Sequence, residues 1–132
     1  MKTALFVCVE NSCRSQMAEG FARALGAGVI DARSAGSRPS GVVNPKAIAS
    51  MREKGIDIAG HASKSLSSLG DEAWDYVITM GCGDACPFVA SRLREDWGIP
   101  DPKHLDAAEF GKVRDLIEAK VRALIEDAKR PG

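Results

Sequence analysis

The chain opens on a segment that leaves few folds available to it. A short apolar run, Thr3-Ala4-Leu5-Phe6-Val7-Cys8, gives way to the polar stretch Glu10-Asn11-Ser12 and then, from Arg14, to helical periodicity. An unbroken apolar run of that length fits a strand buried on both faces, ending at Cys8 or Val9. Met17, Ala18, Phe21, Ala22 and Leu25 recur at helical spacing, and Gly26 and Gly28 supply a stop. Strand, loop and helix in that order form the first unit of an α/β fold.

The alternation continues. Residues 29 to 35 suggest a second strand, and Asn44-Pro45 an N-cap with proline at the first helical position, opening a helix to about Lys54 with Gly55 as terminator. Residues 74 to 80 predict a buried strand, with Trp74 in the core, followed by the loop Gly81-Cys82-Gly83. Asp106-Ala107-Ala108-Glu109 resembles a capping box, and Val113, Leu116, Ile117, Val121, Leu124, Ile125 and Ala128 mark one apolar face of a long terminal helix. Such a pattern predicts an α/β sandwich around a parallel sheet, one domain over residues 1–132, with its ligand crevice at the carboxyl ends of the strands. Cys8 and Cys82 both fall at that rim.

Charge narrows the partners. With 18 basic and 18 acidic residues the formal net charge is zero, which argues against a nucleic-acid or anionic-membrane surface and leaves room for a local anion site. The apolar opening is far short of the roughly 20 residues that span a bilayer, and Glu10 does not suit an export signal. The expected location is a reducing cytoplasm, where Cys8, Cys13, Cys82 and Cys86 are catalytic, redox-active or metal-binding rather than structural disulfides.

The densest chemistry lies in Cys8-Val9-Glu10-Asn11-Ser12-Cys13-Arg14-Ser15. Successive backbone N–H groups in a tight loop can surround a tetrahedral oxyanion, the helix start adds positive dipole, and the Arg14 fork can clamp two oxygens. The same field favours a thiolate, so Cys8 is the expected nucleophile, with Val9, Glu10, Asn11, Ser12, Cys13 and Arg14 forming the anion cradle. Ser15 is placed to steady the thiolate and Asn11 to pin the loop. The loop lacks the lysine of nucleotide-binding glycine loops.

Cys8 to Ser15, continued by Gln16-Met17-Ala18-Glu19-Gly20, resembles the thioredoxin-coupled arsenate reductases, relatives of the low-molecular-weight protein tyrosine phosphatases. Ser34-Ala35-Gly36, Asn44-Pro45-Lys46-Ala47, Asp57-Ile58 with His61, the loop from Thr79 to Pro87, and Glu95-Asp96-Trp97-Gly98 leading to Asp101-Pro102 extend the similarity along nearly the whole chain. The resemblance implies a four-stranded parallel sheet with helices on both sides.

Chemistry separates the two activities. A phosphatase needs one cysteine, whereas reducing arsenate to arsenite takes two electrons, so a second thiolate must attack Cys8 and leave a disulfide. The resemblance implies a relay, Cys8 with Cys82 first and then Cys82 with Cys86, re-reduced by thioredoxin, with no bound cofactor and no metal. It implies that Asp101, stiffened by Pro102, is the general acid that turns a departing hydroxide into water. Cys13 corresponds to a thiol outside the relay. The protein is expected to act as a monomer.

Two rivals remain at this level. One is a tyrosine phosphatase, against which Lys103-His104 stands where that family carries aromatics; weak phosphatase side activity is compatible with the reductase. The other is a zinc- or arsenite-binding protein holding metal through Cys82 and Cys86, with Cys8, Cys13 or His61 as further ligands. His61 and His104 otherwise carry only surface or capping roles. Val9-Glu10 replaces a Thr-Gly found in many relatives, and Glu10 is expected to point its carboxylate outward. Some relatives bind potassium near residues matching Asn11, Glu19 and Ser34. Lys64 stands where an acidic residue completes that site, so its ammonium is expected to replace the ion.

Overall fold

The computed structural model describes residues 1–66, 73–81 and 91–130. Four strands, β1 (Lys2–Cys8), β2 (Ile30–Gly36), β3 (Trp74–Thr79) and β4 (Ser91–Asp96), and three helices, α1 (Arg14–Leu25), α2 (Pro45–Arg52) and α3 (Ala107–Ala128), follow one another along the chain. All strand pairings are parallel and the sheet order is β2-β1-β3-β4. β1 therefore lies inside, with the chain crossing to β2 on one side and later to β3 on the other. Its carboxyl end is the topological switch point, where α/β sheets open a crevice. Cys8 is the last residue of β1 and pairs with Gly36, the last of β2.

The pleat sorts β1 into two faces. Ala4, Phe6 and Cys8 join a large cluster with Met17, Ala18 and Phe21 of α1, Ala47 and Met51 of α2, and Phe110, Ile117 and Val121 of α3. Burying each such large apolar side chain is worth about 1.5–3 kcal/mol, which is what holds the helices to the sheet. Leu5, Val7, Ala35, Trp74 and Val77 form a second cluster on the opposite face, packed by Leu66. The three described helices all serve the first face. The expected helices on the second face fall outside the described residues.

Local signals explain the boundaries. Asn44 caps α2, its side chain accepting from Lys46 N at 2.8 Å, with proline at the first helical position. Asp106 caps α3 by accepting from Glu109 N at 2.9 Å, but Glu109 pairs with Lys112 rather than closing a reciprocal box. One expected core residue of α3 is corrected: Leu116 is 41% exposed, because it sits at the edge of the apolar stripe rather than within it. Among the described residues no helix is long and apolar enough to cross a membrane.

Candidate active site

The loop between β1 and α1, residues 9 to 13, is held by its carbonyls. Val9 O accepts from Arg38 N at 2.8 Å, and Glu10 O from Ser40 N and Ser63 Oγ, both at 3.0 Å. Asn11 O accepts from Gln16 Nε2 at 3.1 Å, and Ser12 O from Asn44 N at 3.0 Å. In a trans peptide the carbonyl and the following N–H point opposite ways, so carbonyls tied outward turn the amides of residues 10 to 13 inward. Asn11 sits at φ 50°, the left-handed region that asparagine tolerates better than most residues. Cys13, the N-cap of α1, supplies no side-chain cap, so the helix's first N–H groups are left for a ligand.

Cys8 lies beneath this ring, 3% exposed. Its Sγ accepts from Asn11 N at 3.2 Å and lies 2.9 Å from Ser15 Oγ, which in turn accepts from Asn11 Nδ2 at 2.8 Å. Cys8, Val9, Glu10, Ser12, Cys13, Arg14 and Asp101 line one pocket of about 220 Å³. The expected cradle is therefore assembled, with Asn11 behind it rather than in its wall. None of those seven lining residues is aromatic.

Arg14 is more tightly held than its sequence suggests. Its Nη1 donates to Met80 O at 2.6 Å and to Ile99 O at 2.9 Å, bolting the start of α1 to the end of β3 and to the segment that leads into Asp101. Asp101 is exposed at the pocket mouth, its Oδ1 accepting from Lys103 N at 3.1 Å. Lys103 Nζ bonds Glu10 Oε1 at 2.8 Å, and Lys46 Nζ donates to the Lys103 and Leu105 carbonyls. The expectation that Glu10 simply points outward is refined: its carboxylate is at the rim, neutralised by Lys103. The hydrogen bond to Glu10 also pushes the Lys103 pKa up.

Cys13, expected to lie outside the relay, is buried in the loop. It is 3% exposed, and burial pushes its thiol up to about 11, so it stays protonated at neutral pH. Cys82 and Cys86 lie outside the described residues, which stop at Gly81, two positions past β3, and resume at Ser91. Among the described residues no group of three or more His, Cys, Asp or Glu is arranged to hold a metal ion.

Behind the loop, Glu19 is 2% exposed and accepts from Ser34 Oγ at 2.5 Å. Arg23 Nε lies 2.9 Å and Lys64 Nζ 3.8 Å from its carboxylate, so of the residues expected around the lysine ammonium it faces Glu19, while Asn11 Oδ1 accepts from the Lys64 backbone N–H at 2.7 Å. His61 is corrected. Instead of a surface role, its side chain is 15% exposed, with Nδ1 3.1 Å from Gln16 Oε1 and 3.9 Å from Glu19 Oε2. Burial first, and the cations Arg23 and Lys64 after it, lower the His61 pKa. His104 is exposed, as expected. Sequence reasoning missed Gln16, His61 and Lys103 as members of this network. The only available signals were a buried-face glutamine in α1 and the charge reversal between Glu10 and Lys103.

Residues 3–131 match the family model described as low molecular weight phosphotyrosine protein phosphatase. A glutaredoxin arsenate reductase from Synechocystis sp. is 44% identical over 128 residues, covering 95% of this chain and 97% of the relative. A solved structure described as an arsenate reductase in the phosphate binding state superposes with a TM-score of 0.90 at 43% identity, covering 98% of this chain and 100% of its own. A thioredoxin-dependent arsenate reductase from Corynebacterium glutamicum gives 0.80 at 31% identity, covering 98% of this chain and 62% of its own.

Proposed function

The chain belongs to the low molecular weight phosphotyrosine protein phosphatase family, and from that premise we propose that it is an arsenate reductase. The observation that carries the reading is the Cys8 sulfur set beneath inward-turned amides, accepting from Asn11 N with Ser15 Oγ alongside, with Asp101 at the mouth. Relatives named arsenate reductase, at 40–44% identity over more than nine-tenths of the chain, support the substrate.

In the proposed first step arsenate enters with its oxygens on the amides of residues 10 to 13 and on the Arg14 guanidinium. Cys8 Sγ attacks arsenic, an As–S bond forms, and one oxygen leaves as water with a proton from Asp101. The Cys82 thiolate then attacks Cys8 Sγ. The new S–S bond replaces the As–S bond, whose electron pair stays on arsenic, so As(V) departs as arsenite. Cys86 attacks Cys82, releasing Cys8 as a thiolate and leaving a Cys82–Cys86 disulfide for an external dithiol carrier. We assign that carrier as thioredoxin, supported by the thioredoxin-dependent relative. A glutaredoxin route is the second reading, favoured by the name of the Synechocystis relative. The free thiols of Cys8 and Cys13 suit a reducing cytoplasm, where we propose that the protein acts as a monomer.

The deciding measurement is arsenate-dependent NADPH oxidation with either thioredoxin and its reductase, or glutathione, glutaredoxin and glutathione reductase. Cys8→Ser, Cys82→Ser and Cys86→Ser should each abolish turnover, and Cys13→Ser should keep most of it. Normal turnover by Cys86→Ser would refute the three-thiol relay. Hydrolysis of aryl phosphates should be weak, because none of the seven described lining residues offers an aromatic wall to the leaving group.

A further inference from the structure

The proposed relay needs a second thiol to arrive at Cys8 along the right line, and the residue that precedes Cys82 in the chain is Gly81. The peptide that leads into it, Met80–Gly81, is gripped at both polar ends. Its oxygen, Met80 O, accepts from Arg14 Nη1 at 2.6 Å, and its N–H, on Gly81, donates to Asp96 Oδ1 at 2.6 Å. Carbonyl and N–H point opposite ways in a trans peptide, so a cation and an anion hold one rigid plane from opposite sides. Hydrogen bonds to ionised partners are stronger than those between neutral groups, so this plane is held more firmly than a ladder bond would hold it. Only the φ and ψ torsions of Gly81 separate it from the peptide of Cys82.

Asp96 is the last residue of β4 and pairs with Thr79, the last of β3. Beyond each strand end the chain turns through a glycine with positive φ, Gly81 at 95° and Gly98 at 59°. The two turns pack on each other, since a Cβ at Gly81 would stand 3.4 Å from Gly98 Cα and from Ile99 O. The same Asp96 oxygen accepts from Thr79 Oγ1 at 3.0 Å and, at 3.4 Å, from Gly98 N. Arg14 Nη1 in turn holds Ile99 O at 2.9 Å. Asp96 therefore meets both chains that leave the sheet here, one toward Cys82 and the other toward Asp101. We propose that Asp96 is a positioning residue for the resolving step, fixing the Met80–Gly81 peptide and with it the direction in which the chain departs for Cys82, so that this thiol meets Cys8 Sγ at a high effective concentration. The inference rests on the reading in which Cys82 attacks Cys8. The carboxylate works as an acceptor, so an amide in its place retains most of the effect.

The test measures the Cys8–Cys82 disulfide without arsenate, in the full chain carrying Cys86→Ser so that the bond passes no further. Oxidised glutathione takes the two electrons, one disulfide forms in the protein and two glutathione thiols are released, and the equilibrium constant gives the effective concentration of the pair. Peptide mapping locates the bond. Asp96→Ala should lower the constant roughly tenfold, whereas Asp96→Asn, which keeps Oδ1 as an acceptor, should stay within about threefold of the parent. Cys8 alkylation by iodoacetamide should run at the parent rate in both, and thermal unfolding reports on stability. An Asp96→Ala protein that is less stable yet keeps the parent constant overturns the proposal. So does one whose alkylation rate falls in step with the constant, which would put the effect on Cys8 itself. Should Asp96→Ala not fold, Thr79→Val decides, because it removes the hydroxyl that steadies Oδ1: a constant lowered about threefold supports the proposal and an unchanged one overturns it. If the parent forms no such disulfide, the inference falls with the relay. A parent that turns over no arsenate but shows this ordering of constants sinks the proposed function and spares the inference, and one that turns over arsenate with equal constants does the reverse.

Discussion

Glycine at position 36 shows how little space the site leaves. A Cβ there would stand 2.5 Å from Val9 O, 3.0 Å from Asn11 N and 3.0 Å from Cys8 O, all backbone atoms of the anion loop. Gly36→Ala must push the loop off its geometry, so the KM for arsenate should rise roughly tenfold, with a loss of about 1–3 kcal/mol in stability. Steady-state kinetics and urea unfolding check the two effects. At Lys64, whose ammonium faces Glu19, turnover should be the same in potassium and sodium salts at equal ionic strength. A several-fold rise specific to potassium would show that the lysine does not stand in for an ion. Cys8, Arg14 and Ser15 were legible because they are contiguous and bracketed by a strand and a helix. Asp101 needed the family resemblance, since nothing local ties it to residues so far back in the chain. His61, Gln16 and Lys103 left only faint signals, because the pairings that define them, His61 with Gln16 and Lys103 with Glu10, join residues 45 and 93 positions apart.

Elements differ in how openly the sequence announces them. β1 and β3 are internal and apolar, and α1, α2 and α3 carry either caps or a regular stripe, so each stands near its expected limits. β4 does not. Its sequence, SRLRED, is charged and its residues are mostly exposed, since an edge strand needs no apolar face to be held by β3 and gains from charges that discourage pairing with another chain. The residues alone gave no reason to place it, and the fourth strand entered only through the resemblance. Leu116 went astray for the opposite reason, being apolar but lying at the margin of α3's buried stripe. At the other end of that helix, Asp106→Ala removes the bond to Glu109 N and should cost about 1 kcal/mol, read as a shift in the urea midpoint without a change in slope.

Taken whole, the molecule should be most stable over a defined pH range. Burial lowers the His61 pKa from 6.5, so the unfolded chain takes up a proton more readily than the folded one, and stability is present above that pH and lost as pH falls below it. Burial raises Cys13 from 9.0 to about 11, so the unfolded chain releases its proton first and stability declines as pH rises between those values. Chemical denaturation from pH 5 to 11 should therefore show a plateau between about 6.5 and 9, with His61→Gln flattening the acid limb. The parallel α/β plan was legible at this scale from the order of strands and helices, since crossovers of that length leave little else to build. The way the anion loop is fastened has a further outcome. Its carbonyls are gripped by residues 38, 40, 44 and 63, all of which join the chain well after Cys8 does. Until the segment that contains Ser63 has been added the loop lacks one of these anchors, so the cradle around the Cys8 sulfur is completed only after nearly half of the chain has been made.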